Sequence, residues 1–233
     1  MSSEDFNIDE LAAYLHMMPE QVSRLAERGK LPARRVGGQW KFSGPEIHHW
    51  LEDRMGLSDE VELARMAGAL ERAQTNEPLE LTELLPLDAI NLQLTARTRG
   101  SVVDQMAELG VGTGLLWDAS KMADAVRDRE SMHPTALDNG VALLHPRRPL
   151  ASILAQAVLA LGIAPSGIPF GGRRLTDVFF LICSTNDHEH LRILARLSRV
   201  INDDTFLASL RSAASPQEVH ELIIGREQHI DST

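Results

Sequence analysis

The sequence predicts an α/β chain in two parts: a small winged helix-turn-helix unit, then a larger domain of alternating helices and strands. Three observations carry that expectation. Apolar residues recur at helical spacing near the N-terminus and give way to a glycine-centred hairpin signal. An acidic, helix-patterned stretch then ends in TNEP, a boundary signal. Beyond it, helical periods alternate with short apolar runs such as GVALL and VFFLICS. The expected boundaries are 1–55 for the small unit, 56–78 for an acidic helical linker and 79–233 for the larger domain.

Composition narrows the classes. At 233 residues and 43% apolar content the chain can build a real core, and a charged fraction of 24% is ordinary for a soluble protein. The net charge of -10 repels nucleic acid and anionic membranes on average. Cys183, the one cysteine, lies in VFFLICS; it reads as a buried core residue and suits a reducing cytoplasm. MSSEDFNIDE is unlike a secretory signal, and LASILAQAVLALGIAP is too short and too interrupted to span a bilayer. The expectation is a soluble, cytoplasmic protein with no membrane partner and no cofactor.

In the small unit, Ile8, Leu11, Ala12 and Leu15 share a helix face, with Asn7 placed to cap it. Pro19 suits the first turn of a second helix that turns Val22 and Leu25 inward and stops at Gly29. LPARRVGGQWKF is a hairpin about Gly37-Gly38. PEIHHWLEDR is a third helix burying Ile47, Trp50 and Leu51, while His48 and His49 point to opposite sides. Helix, turn, helix, hairpin, helix is a winged helix-turn-helix order.

Charge is not evenly spread. From Glu20 to Ser43, six cations stand against two carboxylates, a local +4 inside a chain of -10. That separation is the footprint of a phosphate-binding face. Gln21, Ser23, Arg24 and Arg28 would face a major groove of duplex DNA, with Arg34, Arg35 and Lys41 of the hairpin beside the backbone. The plainer alternative is a solvated basic face that holds a protein partner. Across this unit, NIDELAAYLHMMPEQVSRLAERGKLPARRVGGQWKFSGPEIHHWL resembles the excisionase or MerR-type helix-turn-helix module. In the linker, Val61, Leu63, Ala64, Met66, Ala67 and Leu70 form an apolar stripe. It suits a homo-oligomer or packing on the chain's own domains equally well.

The larger domain opens with a helix over SVVDQMAELGV, placing Val102, Val103, Met106 and Leu109 on one face. A second helix, MADAVRDRES, ends on Arg129-Glu130. GVALL reads as a strand leading directly to His145, where Pro146 forces a bend that lets the ring reach solvent. Asp138-Asn139-Gly140 allow a tight turn with exposed backbone N–H groups. A nucleophilic histidine needs one bare ring nitrogen, a partner that fixes the tautomer, and cations for an incoming anion. Arg129, Arg147 and Arg148 supply candidates for the last role. Taken alone, His145 is read first as a core histidine satisfied by backbone.

RESMHPTALDNGVALLHPR resembles the signature of enzyme IIA domains of the sugar phosphotransferase system, mannitol/fructose type, including the nitrogen-regulatory branch. INLQLTARTRGSVVDQMAEL is similar to the family's first strand and helix, and TDVFFLICSTNDHEHLRILARLSRVINDDTFLASLRSAASPQEVHELI to its later elements. The resemblance implies a mixed β-sheet flanked by helices. It places the phosphoryl-accepting histidine at His145, the active-site arginine at Arg129 and the second histidine at His190, with His188 a competitor. It also implies an HPr-like phosphocarrier protein as donor. The chain departs from the family's Pro-His-Gly with Leu144-His145-Pro146, and Asp138 puts a negative charge near an incoming phosphate. Those departures favour a rival reading, a transcription factor or adaptor whose domain only docks a protein or small ligand. A zinc reading of His145, His188 and His190 has no matching carboxylate signature, so no metal is expected. No transport or IIB domain is recognisable beside the IIA-like domain, which points to regulation rather than sugar uptake.

Overall fold

The computed structural model describes residues 5–15, 17–44, 46–47, 50–51, 79–172 and 174–232. The chain divides into two units, Met1–Pro78 and Leu79–Thr233. The expected linker helix over 56–78, its apolar stripe and the His48-His49 pair lie outside the described residues.

The first unit holds β1 (Asp5–Phe6), α1 (Ile8–Leu15), α2 (Pro19–Glu27), β2 (Arg34–Val36) and β3 (Gln39–Ser43). Asn7 caps α1 reciprocally: its Oδ1 accepts from the Glu10 N–H at 2.9 Å, and Glu10 Oε2 accepts from the Asn7 N–H at 2.7 Å. Leu11, Ala12 and Leu15 are buried, and Ile8 is half-buried. In α2 the inward residues are Val22 and Ala26; Leu25 is only half-buried. Gly29 leaves the helix at φ 64°, and Gly37-Gly38 turn the hairpin at 59° and 83°, the left-handed pair that a two-residue loop requires. The sheet order is β1-β3-β2, all antiparallel. The two-residue β1 carries no periodic signal, so its pairing was not foreseeable from pattern. Residues 46–47 and 50–51 are helical, with Ile47 and Leu51 buried and the Trp50 indole donating to the Lys30 carbonyl at 2.6 Å.

The second unit runs α3 (Leu81–Leu84), β4 (Ile90–Asn91), α4 (Arg99–Gly112), α5 (Ala119–Met132), β5 (Val141–Leu144), β6 (Val158–Ile168), β7 (Thr176–Cys183), α6 (Asp187–Ile201), α7 (Asp204–Ser212) and α8 (Pro216–Asp231). Its four strands stand in the order β4-β6-β7-β5. β6 and β7 are antiparallel, whereas β4 pairs parallel to β6 and β5 parallel to β7. This is the mixed sheet flanked by helices. All four β5 residues are buried, as expected of a strand covered on both faces. On α4, Val102, Val103 and Met106 are buried as their spacing predicts, but Gly110 lies inward where Leu109 was expected. A Cβ at Gly110 would stand 3.0 Å from Leu116, so the close approach favours glycine there and leaves Leu109 half-buried.

Candidate active site

Parallel pairing of β5 and β7 aligns Leu144 with Leu181 and so brings the chain just after each strand to the same end of the sheet. His145 follows β5 directly, and Ser184 follows β7. The segment after β7 starts α6: Asn186 caps it, accepting from the Glu189 N–H at 2.9 Å, and Glu189 accepts from the Thr185 N–H at 2.8 Å. His190 therefore sits in the first turn, facing the sheet. The two histidine rings lie 5.1 Å apart between centroids, tilted by 54°. His190, not His188, is the one that meets His145. His188 is partly exposed, and burial, then the Arg192 cation, lowers its pKa.

The expectation that the His145 ring reaches solvent is corrected. It is 3% exposed, and His190 is 1% exposed. Pro146 is itself buried, so the bend turns inward, and the exposed cations are Arg147 and Arg148. The His145 Nδ1–H donates to the Leu143 carbonyl at 2.7 Å. A carbonyl can only accept, so the neutral ring carries its proton on Nδ1 and presents Nε2 as the bare nitrogen. On His190, Nδ1 lies 3.0 Å from the buried Ser184 hydroxyl.

Arg129 is 3% exposed, in the last turn of α5, and its guanidinium donates to the His133 carbonyl at 2.9 Å. Next to it, Glu130 accepts from the Thr135 N–H at 3.2 Å and from the Thr135 hydroxyl. Burial pushes the Glu130 carboxyl above its ordinary value; the Thr135 bonds and the Arg129 and Arg99 cations oppose that shift. Thr135 in turn accepts from the Leu143 N–H at 3.4 Å, and Ala136 bridges Ala142. The Arg129-Glu130 pair thus holds the loop that lines β5 just before His145. Helix α5 continues to Met132, two residues past the expected end at Glu130.

The turn before β5 is fixed from both sides. The expected tight turn forms, with the Gly140 N–H donating to the Leu137 carbonyl at 3.2 Å and the Val141 N–H of β5 to Asn139 Oδ1 at 3.2 Å. Arg211 of α7 donates to the Asn139 carbonyl at 2.7 Å and to both Asp177 oxygens at 2.8 and 2.9 Å. Gly140 stands at φ 87°, and a Cβ there would lie 2.9 Å from Arg211. Asp138 is exposed. Sequence reasoning missed Ser184, Thr135 and Arg211, each a common residue with no spacing signal that marks it.

On the first unit, Arg24, Arg28, Arg34 and Arg35 are exposed, while Ser23 and Lys41 are half-buried. Gln21 is exposed, but its Oε1 accepts from the Met18 N–H at 3.0 Å, closing the N-terminus of α2. Arg34 pairs with Asp5 at 2.6 Å, and Arg35 lies over the Trp40 ring at 4.6 Å.

Comparison with known proteins follows the same division. Residues 6–55 match the family model described as a helix-turn-helix domain. Residues 83–225 match the model of the phosphoenolpyruvate-dependent sugar phosphotransferase system, EIIA 2. A multiphosphoryl transfer protein of Vibrio cholerae is 29% identical over 139 residues, 60% of this chain but 34% of that protein. The chain therefore spans about a third of that curated relative. The fold is shared with IIA mannitol from Escherichia coli, at 22% identity and TM-score 0.53, covering 59% of this chain and 97% of that one. It is shared too with the nitrogen regulatory protein IIA-Ntr from Neisseria meningitidis, at 22% identity and TM-score 0.55, covering 60% and 97%. With a helix-turn-helix domain ahead of it, the larger part of the chain places this protein in the EIIA 2 family of the phosphoenolpyruvate-dependent sugar phosphotransferase system.

Proposed function

We propose that this chain is a DNA-binding regulator whose EIIA domain accepts a phosphoryl group on His145 from an HPr-like phosphohistidine carrier. The observation that carries the reading is the Leu143 carbonyl on His145 Nδ1, which leaves Nε2 unprotonated beside His190. Phosphoryl transfer needs little covalent help from the protein beyond position and charge. His145 Nε2 is the nucleophile, His190 a donor to the phosphoryl oxygens, and Arg129 a cation that also fixes the loop beside β5. Incubation with phosphoenolpyruvate, enzyme I and HPr should give an acid-labile adduct. His145→Ala should abolish it and His133→Ala should not; undiminished labelling of the His145 variant overturns the assignment.

In the first unit, Arg24 and Arg28 lie exposed at and just beyond α2, as a helix entering a major groove requires. Arg34, Arg35 and Lys41 of the hairpin are assigned to the DNA backbone.

The burial of His145 favours a second reading, in which the domain docks a protein or small ligand without turnover. Full stoichiometric labelling rejects it; a folded chain that takes no label from HPr supports it.

A further inference from the structure

Ser184 is fully buried, and among the described residues its hydroxyl has one hydrogen-bonding partner, His190 Nδ1 at 3.0 Å. A buried hydroxyl proton needs an acceptor, and Nδ1 is the acceptor within reach. Ser184 therefore donates, Nδ1 is the lone-pair nitrogen, and the neutral His190 ring carries its proton on Nε2. His145 has the opposite arrangement, because a carbonyl accepts from its Nδ1. Two rings 5.1 Å apart thus hold complementary tautomers, one imposed by Leu143 and the other by Ser184.

We propose that Ser184 is a positioning residue that keeps the His190 proton on Nε2, so that His190 presents a donor where His145 presents a bare nitrogen. The proposal rests on the reading of His145 as phosphoryl acceptor. In the transfer, the phosphorus–nitrogen bond of the carrier's phosphohistidine breaks and its electron pair returns to the carrier's nitrogen. The Nε2 lone pair of His145 forms the new bond. The His145 ring becomes cationic, its Nδ1 proton still held by the Leu143 carbonyl. His190 keeps its own proton and donates it as a hydrogen bond to a phosphoryl oxygen. No proton passes between the rings.

The test is a long-range proton–nitrogen correlation spectrum of the unphosphorylated full chain, at a pH where both rings are neutral. His190 should show a protonated Nε2 and a bare Nδ1, and His145 the reverse. Ser184→Ala should shift His190 towards the other tautomer and shorten the lifetime of phosphorylated His145 about tenfold, the worth of one hydrogen bond. Ser184→Thr, which keeps the hydroxyl, should restore both. A wild-type His190 protonated on Nδ1 overturns the proposal without recourse to any variant. So does a folded Ser184→Ala chain with unchanged tautomer and lifetime. If wild-type His190 has the stated tautomer but His145 takes no label, the functional reading fails and the placement of the proton by Ser184 stands.

Discussion

At the scale of single residues, the site is held by side chains whose substitutes are predictable. Arg129→Lys keeps the charge but loses the planar fork that donates to the His133 carbonyl and, on the proposed reading, grips the incoming phosphoryl group, so transfer to His145 should slow by about ten- to a hundredfold. Rapid-quench labelling with phosphorylated HPr measures this, and an unchanged rate removes Arg129 from the site. Two kinds of carboxyl give opposite pH dependence. Glu130 and Glu227 are raised above 4.5, mainly by burial. Their favourable contribution is complete below that value and is lost as pH rises through their folded-state values. Asp203 is lowered below 3.8 chiefly by the Phe206 N–H, and Asp231 chiefly by Arg196. Their contribution is present above 3.8 and lost as pH falls through the depressed values. Denaturant midpoints across pH should therefore show Glu130→Gln gaining on wild type as pH climbs from the acid range to neutrality; a constant difference contradicts the Glu130 shift.

The elements divide into those that pattern reveals and those that only packing does. Helices α1, α4 and α5, the Gly37-Gly38 hairpin and strand β5 with its histidine were all legible, because each repeats its period long enough or carries a glycine at the required turn. β1 and β4 were not, since two residues have no period. The meeting of His145 with His190 followed from family resemblance alone; nothing in local spacing encodes a parallel pairing of β5 with β7. The burial of His145 was missed because it depends on α6 packing over the strand end. At this scale the DNA hypothesis is also testable. Neutralising about three to five phosphates gives a slope of roughly -3 to -5 in log K against log salt. Arg24→Ala or Arg28→Ala should lose sequence preference, whereas Arg35→Ala should weaken all duplexes alike. Arg34→Ala should do less than Arg35→Ala, because Asp5 already engages Arg34. Fluorescence anisotropy on promoter fragments at several salt concentrations distinguishes these outcomes, and no binding at low salt favours the protein-docking face. Asn7→Ala should cost α1 about 1 kcal/mol in the denaturant midpoint.

Across the whole EIIA domain, the helices behind the sheet are tied by a charged knot. Arg196 of α6, 3% exposed, donates to Glu227 at 2.9 Å and to both oxygens of Asp231 on α8, while Glu227 also accepts from the Leu81 N–H of α3 at 3.1 Å. Arg196→Met should lower stability by about 3 kcal/mol, because it strands a buried carboxyl. Adding Glu227→Leu should recover part of that loss, measured by thermal or urea unfolding; a double variant no more stable than the single one argues against the knot. The strand order has a kinetic consequence as well. β5 and β7 run parallel and are separated in the chain by β6, so no tight turn can join them. The antiparallel β6/β7 ribbon is the more local pairing, and we expect it to close before β5, which precedes β6 by the loop over 145–157, seats beside β7. On that expectation, His145 and His190 meet only when β5 seats. In a refolding time course, competence to take the phosphoryl label should appear with the slowest phase, after most helical signal has returned, so the chain acquires its chemistry last.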